Sequence, residues 1–190
     1  MLKTALFVVA AVIAAEPSRA HACFNEVART VEDDVRLVQR AEKFLESGMY
    51  HKAGKTLKGW KFSNARLRER TASVRAIVAL RTKTSNDDVT WVVDHFKART
   101  ESKDGAKDMR LRALLAEAYF ATGKTDEART ILADLQKRDL MPDEYAIATL
   151  AKLSTGTERY ELWKACRTKA KNKEICELPA GTVATKRTAS

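Results

Sequence analysis

The sequence predicts an all-α chain built as a stack of about four antiparallel helix hairpins. Three observations carry this. From about Val31 to Ala170, apolar residues recur three and four apart, and no window alternates polar and β-branched residues as a strand would. Breakers interrupt the pattern at short intervals: Gly48, Thr84-Ser85-Asn86, Gly105, Gly123, Pro142 and Gly156. Two of the helix pairs so defined share one spacing of small and aromatic residues. Helices joined by such short connections pair antiparallel. At 190 residues and 45% hydrophobic, the chain suits one domain or a short repeat array and is not a disordered tail.

The N-terminus comes first. Lys3 precedes an apolar run from Ala5 to Ala15, a polar stretch follows, and Ala20-His21-Ala22 closes it. That order resembles an export signal over residues 1–22, cleaved after Ala22. Eleven apolar residues fall short of the ~20 needed to span a bilayer. With no later apolar segment, no transmembrane helix is expected after removal of the signal. Cys23 would then begin the mature chain, the position a lipoprotein modifies, although the large aliphatic residue of a lipoprotein box is missing. No Asn is followed two positions on by Ser or Thr, so no glycosylation acceptor exists. Bacterial periplasm or cell envelope is therefore the expected location.

Eight helices are expected, over about 32–47, 50–60, 64–83, 87–100, 106–121, 125–137, 143–153 and 157–170. Gly48 and Gly123 each follow an apolar run, where a helix C-terminus favours a left-handed residue. Asn86 is a good N-cap, with Asp87-Asp88 beside the positive helix end. Pro142-Asp143-Glu144 reads as a first helical turn. The helical region is expected to close near residue 176, and residues 177–190, with Pro179 and Gly181, read as a frayed tail.

Oxidation is permitted in an exported chain. Cys166 and Cys176 are the nearest pair in sequence, but on one unbroken helix they would stand ~15 Å apart. A disulfide needs Cα atoms within ~7 Å. Pairing therefore requires a turn, placed here at Asn172, and would contribute about 2.8 kcal/mol in the chain-entropy picture. Three free thiols, or Cys23 bonded to one of the others, are the alternatives.

The two matching hairpins can be set side by side. One carries Ala41, Phe44, Gly48, Ala53 and Leu57, and the other carries Ala116, Tyr119, Gly123, Ala128 and Leu132. In each, the alanines let two helices approach closely, the aromatic fills the groove beside them, and glycine ends the first helix. This spacing resembles the tetratricopeptide repeat. Ile77, Leu80, Val89, Val93 and Phe96 fit a degenerate copy between them, while the last pair, with Tyr160 and Trp163, fits poorly. The resemblance implies a right-handed superhelical stack whose first helices line a concave groove that takes a protein or peptide. Transferred by position, that groove would present Glu42, Leu45, Arg75, Arg81, Arg110, Glu117 and Phe120. Charge reversal at Arg81 and Arg110 is then expected to weaken partner capture without lowering the melting temperature.

Motifs of catalysis are missing. Gly54-Lys55-Thr56 and Gly123-Lys124-Thr125 lack the earlier glycine of a phosphate loop, with Met49 and Ala118 standing there instead. His51 and His95 have no ligand partners at metal spacing, so no metal and no cofactor are expected. His95 reads as a surface residue, and Trp60, Trp91 and Trp163 as core. No enzyme is expected. The net charge of +10 is uneven, with basic residues dense from Lys58 to Lys83 and again from Lys164 to Lys173. That excess reads first as a solvated helix face, and it would also suit an acidic protein or peptide partner. The alternatives are binding of anionic polymer, lipid or nucleic acid, or an envelope enzyme without a recognisable motif; the export signal argues against nucleic acid. Oligomeric state is not encoded in any of these patterns.

Overall fold

In the computed structural model, residues 18–83 and 88–177 are described, with side chains of the first helix from Val31 onward. Every regular element among them is helical. The order is α1 (Ser18–Glu46), α2 (Tyr50–Leu57), α3 (Ala65–Thr82), α4 (Thr90–Thr100), α5 (Met109–Ala121), α6 (Thr125–Lys137), α7 (Glu144–Leu153) and α8 (Gly156–Lys169). Short 3₁₀ turns at Gly105–Lys107 and Lys173–Cys176 complete it. Most of the expected spans agree to within a few residues. The exception is α1, which begins at Ser18 rather than 32, because no glycine or proline interrupts the sequence between Ser18 and Glu46. A cut after Ala22 would fall inside this helix. Residues 1–17, the expected breaker Thr84-Ser85-Asn86 and most of the expected tail lie outside the described residues.

Each helix packs on its hairpin partner, α1 to α6 also pack on the next hairpin, and α1, α3, α5 and α7 touch in succession. The core divides accordingly. One cluster joins α1, α2 and α3 through Val38, Ala41, Ala53, Leu57 and Leu67. A second joins α3, α4 and α5 through Ala76, Val92, Phe96 and Leu115. The third joins α5 to α8 through Ala116, Ala128, Leu132, Leu150 and Cys166. Burial handed on from one hairpin to the next is the signature of a stacked repeat, an α-solenoid.

The two matching hairpins end their first helices alike. At Gly48 (φ +71°), Met49 N–H donates to the Phe44 carbonyl at 2.8 Å and Gly48 N–H to the Leu45 carbonyl at 2.9 Å. At Gly123 (φ +82°), Lys124 N–H donates to Tyr119 and Gly123 N–H to Phe120, at 2.9 and 3.1 Å. This pair of bonds satisfies carbonyls that a helix end leaves free, and positive φ is where glycine costs least. Ala41, Ala53, Ala116 and Ala128 are fully buried between their helices.

Starts follow capping chemistry. Asn64 and Asp108 each accept two backbone N–H bonds at the heads of α3 and α5. Asp143, the expected first residue of α7, is instead its N-cap and accepts from Ala146 N–H at 3.0 Å, so the helix begins one residue later than expected, at Glu144. The expected cap Asn86 lies outside the described residues, and Asp88 accepts from Thr90 N–H and hydroxyl. Trp60 and Trp91 are 46% and 43% exposed, so these two belong to the surface rather than the core; Trp163 is partly buried against the α5–α8 cluster. Trp60 stands on a loop at the edge of the first cluster, stacked on its member Phe62, and Trp91 stands in the first turn of α4.

Candidate concave groove

The inner stripe of α3 organises the site. Arg66, Glu69, Arg70, Ser73, Val74 and Ile77 line a cleft of about 490 Å³ together with Glu42 and Leu45 of α1 and Arg110 of α5. Its floor is apolar, made by Val74, Phe96, Leu111 and Leu114. Its rim is charged, yet much of the charge is already matched. Arg70 donates from Nε and Nη2 to the Glu42 carboxylate at 2.9 and 2.5 Å, and Arg99 Nε lies 3.9 Å from Glu69. Asp108 is engaged in capping α5. Arg66 and Arg110 have no carboxylate partner among the described residues and stand exposed.

Farther along α3, the surface closes. Arg81 forks onto Glu117 of α5, with Nη1 donating to Oε2 and Nη2 to Oε1 at 3.2 Å, and the two side chains are 7% and 5% exposed. Asp143 Oδ2 lies 4.0 Å from Arg81, and the guanidinium carbon sits 3.6 Å from the Tyr145 ring centroid. Tyr50, at the start of α2, meets Tyr145 edge to face at 6.1 Å. Burial acts to lower the pKa of Arg81, but the Glu117 charge and hydrogen bonds outweigh it, and the guanidinium stays charged. Burial pushes the Glu117 carboxyl up, with Arg81 opposing. Tyr145 is raised as well, by burial first and then by Tyr50. Beyond this partition a second cleft of about 390 Å³ contains Phe120, Thr149, Lys152 and, from the C-terminal 3₁₀ turn, Glu174 and Ile175.

The structure thus gathers six of the seven transferred groove residues on the inner face, but in two parts. Glu42, Leu45 and Arg110 line the open cleft, whereas Arg81, Glu117 and Phe120 belong to the closed end. Arg81 is a buried clamp, so its reversal would destabilise the fold rather than leave the melting temperature alone. Arg75 lies apart: its Nη2 donates to the Leu57 and Trp60 carbonyls, both at 2.8 Å, on the α2 side. Sequence reasoning missed Arg66, Arg70 and Ser73 on α3 and Tyr145 on α7. Their i, i+4 and i, i+3 spacing with Ile77 was the available signal for the α3 set; nothing in the sequence pointed to Tyr145.

His95 is half-buried rather than on the surface. Its Nε2 is 3.1 Å from Ser73 Oγ, and Arg99 Nη1 donates to the same oxygen at 2.6 Å. Burial, then the Arg99 charge, lowers its pKa. A serine hydroxyl so bonded, with no carboxylate on the other ring nitrogen among the described residues, ties α3 to α4 and lacks the third member of a nucleophilic triad.

Cys166 and Cys176 are joined as a disulfide, with Cα atoms 5.8 Å apart. The chain leaves the helix at Ala170, and Asn172 caps the 3₁₀ turn by accepting from Glu174 N–H at 3.0 Å. The bond pins that turn onto α7 and α8, which sets Glu174 and Ile175 at the closed end of the groove. Of Cys23 only the backbone is described, within α1. No cluster of three or more His, Cys, Asp or Glu suited to a metal occurs among the described residues, and no described helix is long and apolar enough to cross a membrane.

Comparison with known families agrees with this geometry. Residues 97–153, from the last turn of α4 through α7, match the family model described as tetratricopeptide repeat. That stretch contains the Ala116–Leu132 hairpin. No curated protein and no solved structure matches the chain. The match spans less than a third of the chain, and together with the helical stack it supports a tetratricopeptide-like architecture, a kind of repeat that generally serves as a protein-interaction scaffold.

Proposed function

We propose that this tetratricopeptide-like chain is an exported binding scaffold whose open cleft between α1, α3 and α5 holds an extended segment of a partner protein. The observation that carries this is the pairing of an apolar floor (Val74, Phe96, Leu111, Leu114) with two unmatched arginines, Arg66 and Arg110, at its rim. Apolar anchors of a segment would enter the floor, and acidic side chains would meet the two guanidinium groups. The partner is therefore a peptide stretch mixing a few apolar residues with acidic ones. Export to a bacterial periplasm is supported by the leader-like order of residues 1–22 and by a disulfide that an oxidising compartment would keep.

Affinity capture with Arg66→Glu/Arg110→Glu tests the groove. Both side chains are exposed, so the melting temperature should stay within a few degrees while capture of the partner seen with wild type falls at least about tenfold. Equal capture by both proteins would remove the groove from the account. Intact-mass measurement of the mature protein would show a start at Cys23, unlipidated, with two hydrogens missing for the disulfide; a retained residue 1 would refute cleavage.

A further inference from the structure

We propose that the cleft between α2 and α3, on the far side of α3 from the groove, is a binding site for phosphate-bearing ligands. The site stands on its own observations and does not rest on the groove reading.

The cleft has a volume of about 590 Å³, within the range of small-molecule sites. Its cations are Lys55 from α2, Lys58 and Lys61 from the following loop, and Arg75 at the edge, and the His51 ring also lines it. No Asp or Glu lines it. The three lysines and His51 are exposed, and none has a carboxylate within salt-bridge distance among the described residues. Like charges gathered without counter-charge raise the local potential and favour a multivalent anion.

Local geometry explains why the cleft exists. Gly54 leaves α2 so close to α3 that a Cβ would stand 3.0 Å from the Val78 methyl group. Gly59 (φ +78°) then turns the chain, and Arg75 Nη2 holds the turn by donating to the Leu57 and Trp60 carbonyls. Trp60 stacks on Phe62, centroids 6.4 Å apart, and forms an apolar wall with an exposed face.

Donor chemistry selects phosphate over carboxylate. A carboxylate is best held by the planar fork of an arginine, and the one arginine here is committed to backbone carbonyls. What remains free is a set of lysine ammonium groups, compact donors that suit the several oxygens of a phosphoryl group approached from different sides. That group could belong to a free phosphate compound or to a lipid headgroup.

Calorimetry with inorganic pyrophosphate at low salt is the direct test. Saturable binding at one site is expected, weakened at least about tenfold in Lys55→Gln/Lys58→Gln/Lys61→Gln. Lys164→Gln/Lys169→Gln/Lys171→Gln, which removes the same charge elsewhere, should bind as wild type does. Sedimentation with phosphatidylglycerol and phosphatidylcholine vesicles separates the sources. Retention only on the anionic vesicles, competed by pyrophosphate, identifies a headgroup; pyrophosphate binding without vesicle retention identifies a free phosphate ligand. The proposal is overturned if pyrophosphate gives no saturable heat. It is also overturned if both triple variants lose binding equally, which would mean diffuse attraction, or if polyglutamate binds the same lysines more tightly than pyrophosphate.

Discussion

Glu42 and Glu117 hold the same place in the two matching hairpins, each directly after the buried alanine, and each grips an arginine of α3. Glu42 meets Arg70 near the open cleft, with the side chains 32% and 36% exposed. Glu117 meets Arg81 at the closed end, where exposure falls to 5% and 7%. One chemistry at equivalent positions thus serves two purposes. In water the first pair is weak and exchangeable, which leaves the cleft free to take other charges. Behind Tyr145 and Tyr50 the second pair is a clamp between three hairpins, because either charge alone would be stranded without solvent.

The largest effect should come from breaking the buried clamp. Arg81→Ala or Glu117→Ala should lower unfolding free energy by about 3–5 kcal/mol in denaturant titrations, and Arg81→Leu/Glu117→Leu should recover much of that loss. A cost below about 1 kcal/mol for either single variant would make the two pairs equivalent. Next comes the disulfide that holds the 3₁₀ turn to the closed end. Cys166→Ser/Cys176→Ser should cost about 2–3 kcal/mol, and hydrogen exchange should rise at Glu174 and Ile175 while the open cleft is unchanged.

Between the clamps, Thr71 of α3 buries a hydroxyl that has no hydrogen-bond partner. Thr71→Val, which keeps the shape and removes the polar atom, should raise stability by about 1 kcal/mol. Glu42→Ala should cost less than about 1 kcal/mol, which thermal melts can set beside the Glu117 value. The smallest effect concerns His95, whose folded pKa lies below the ordinary 6.5. The folded protein then binds fewer protons than the unfolded chain once pH falls below that ordinary value. Stability from this site is full above it and is lost as pH falls toward the lowered value. His95→Gln should flatten that part of a stability–pH profile, and an unchanged slope would clear His95 of the effect.

Helix number and most boundaries were legible because glycines and capping residues punctuate the chain at the right places. The first boundary was not, since nothing between Ser18 and Val31 marks a start. Placement on the groove was legible where the motif fixed the helix phase. Glu42 and Glu117 follow buried alanines, so their direction was determined. On α3 no motif glycine or aromatic sets the phase, and Arg75 and Arg81 were assigned together although six residues on a helix turn the side chain about 120° away. Tyr145 was invisible for a different reason: its partners, Tyr50 and Arg81, lie on α2 and α3, and only the superhelical turn of the stack brings them to it.

In the proposed role, the open half of the inner face receives the partner. A photoreactive amino acid placed at Leu45, in the cleft, and separately at Trp91, on the exposed surface of α4, tests this most directly. One discrete protein crosslinked from Leu45 and absent from Trp91, and lost when Arg110→Glu is added, is the predicted result. The same product from Trp91 alone, or equal yield with and without Arg110→Glu, would contradict it.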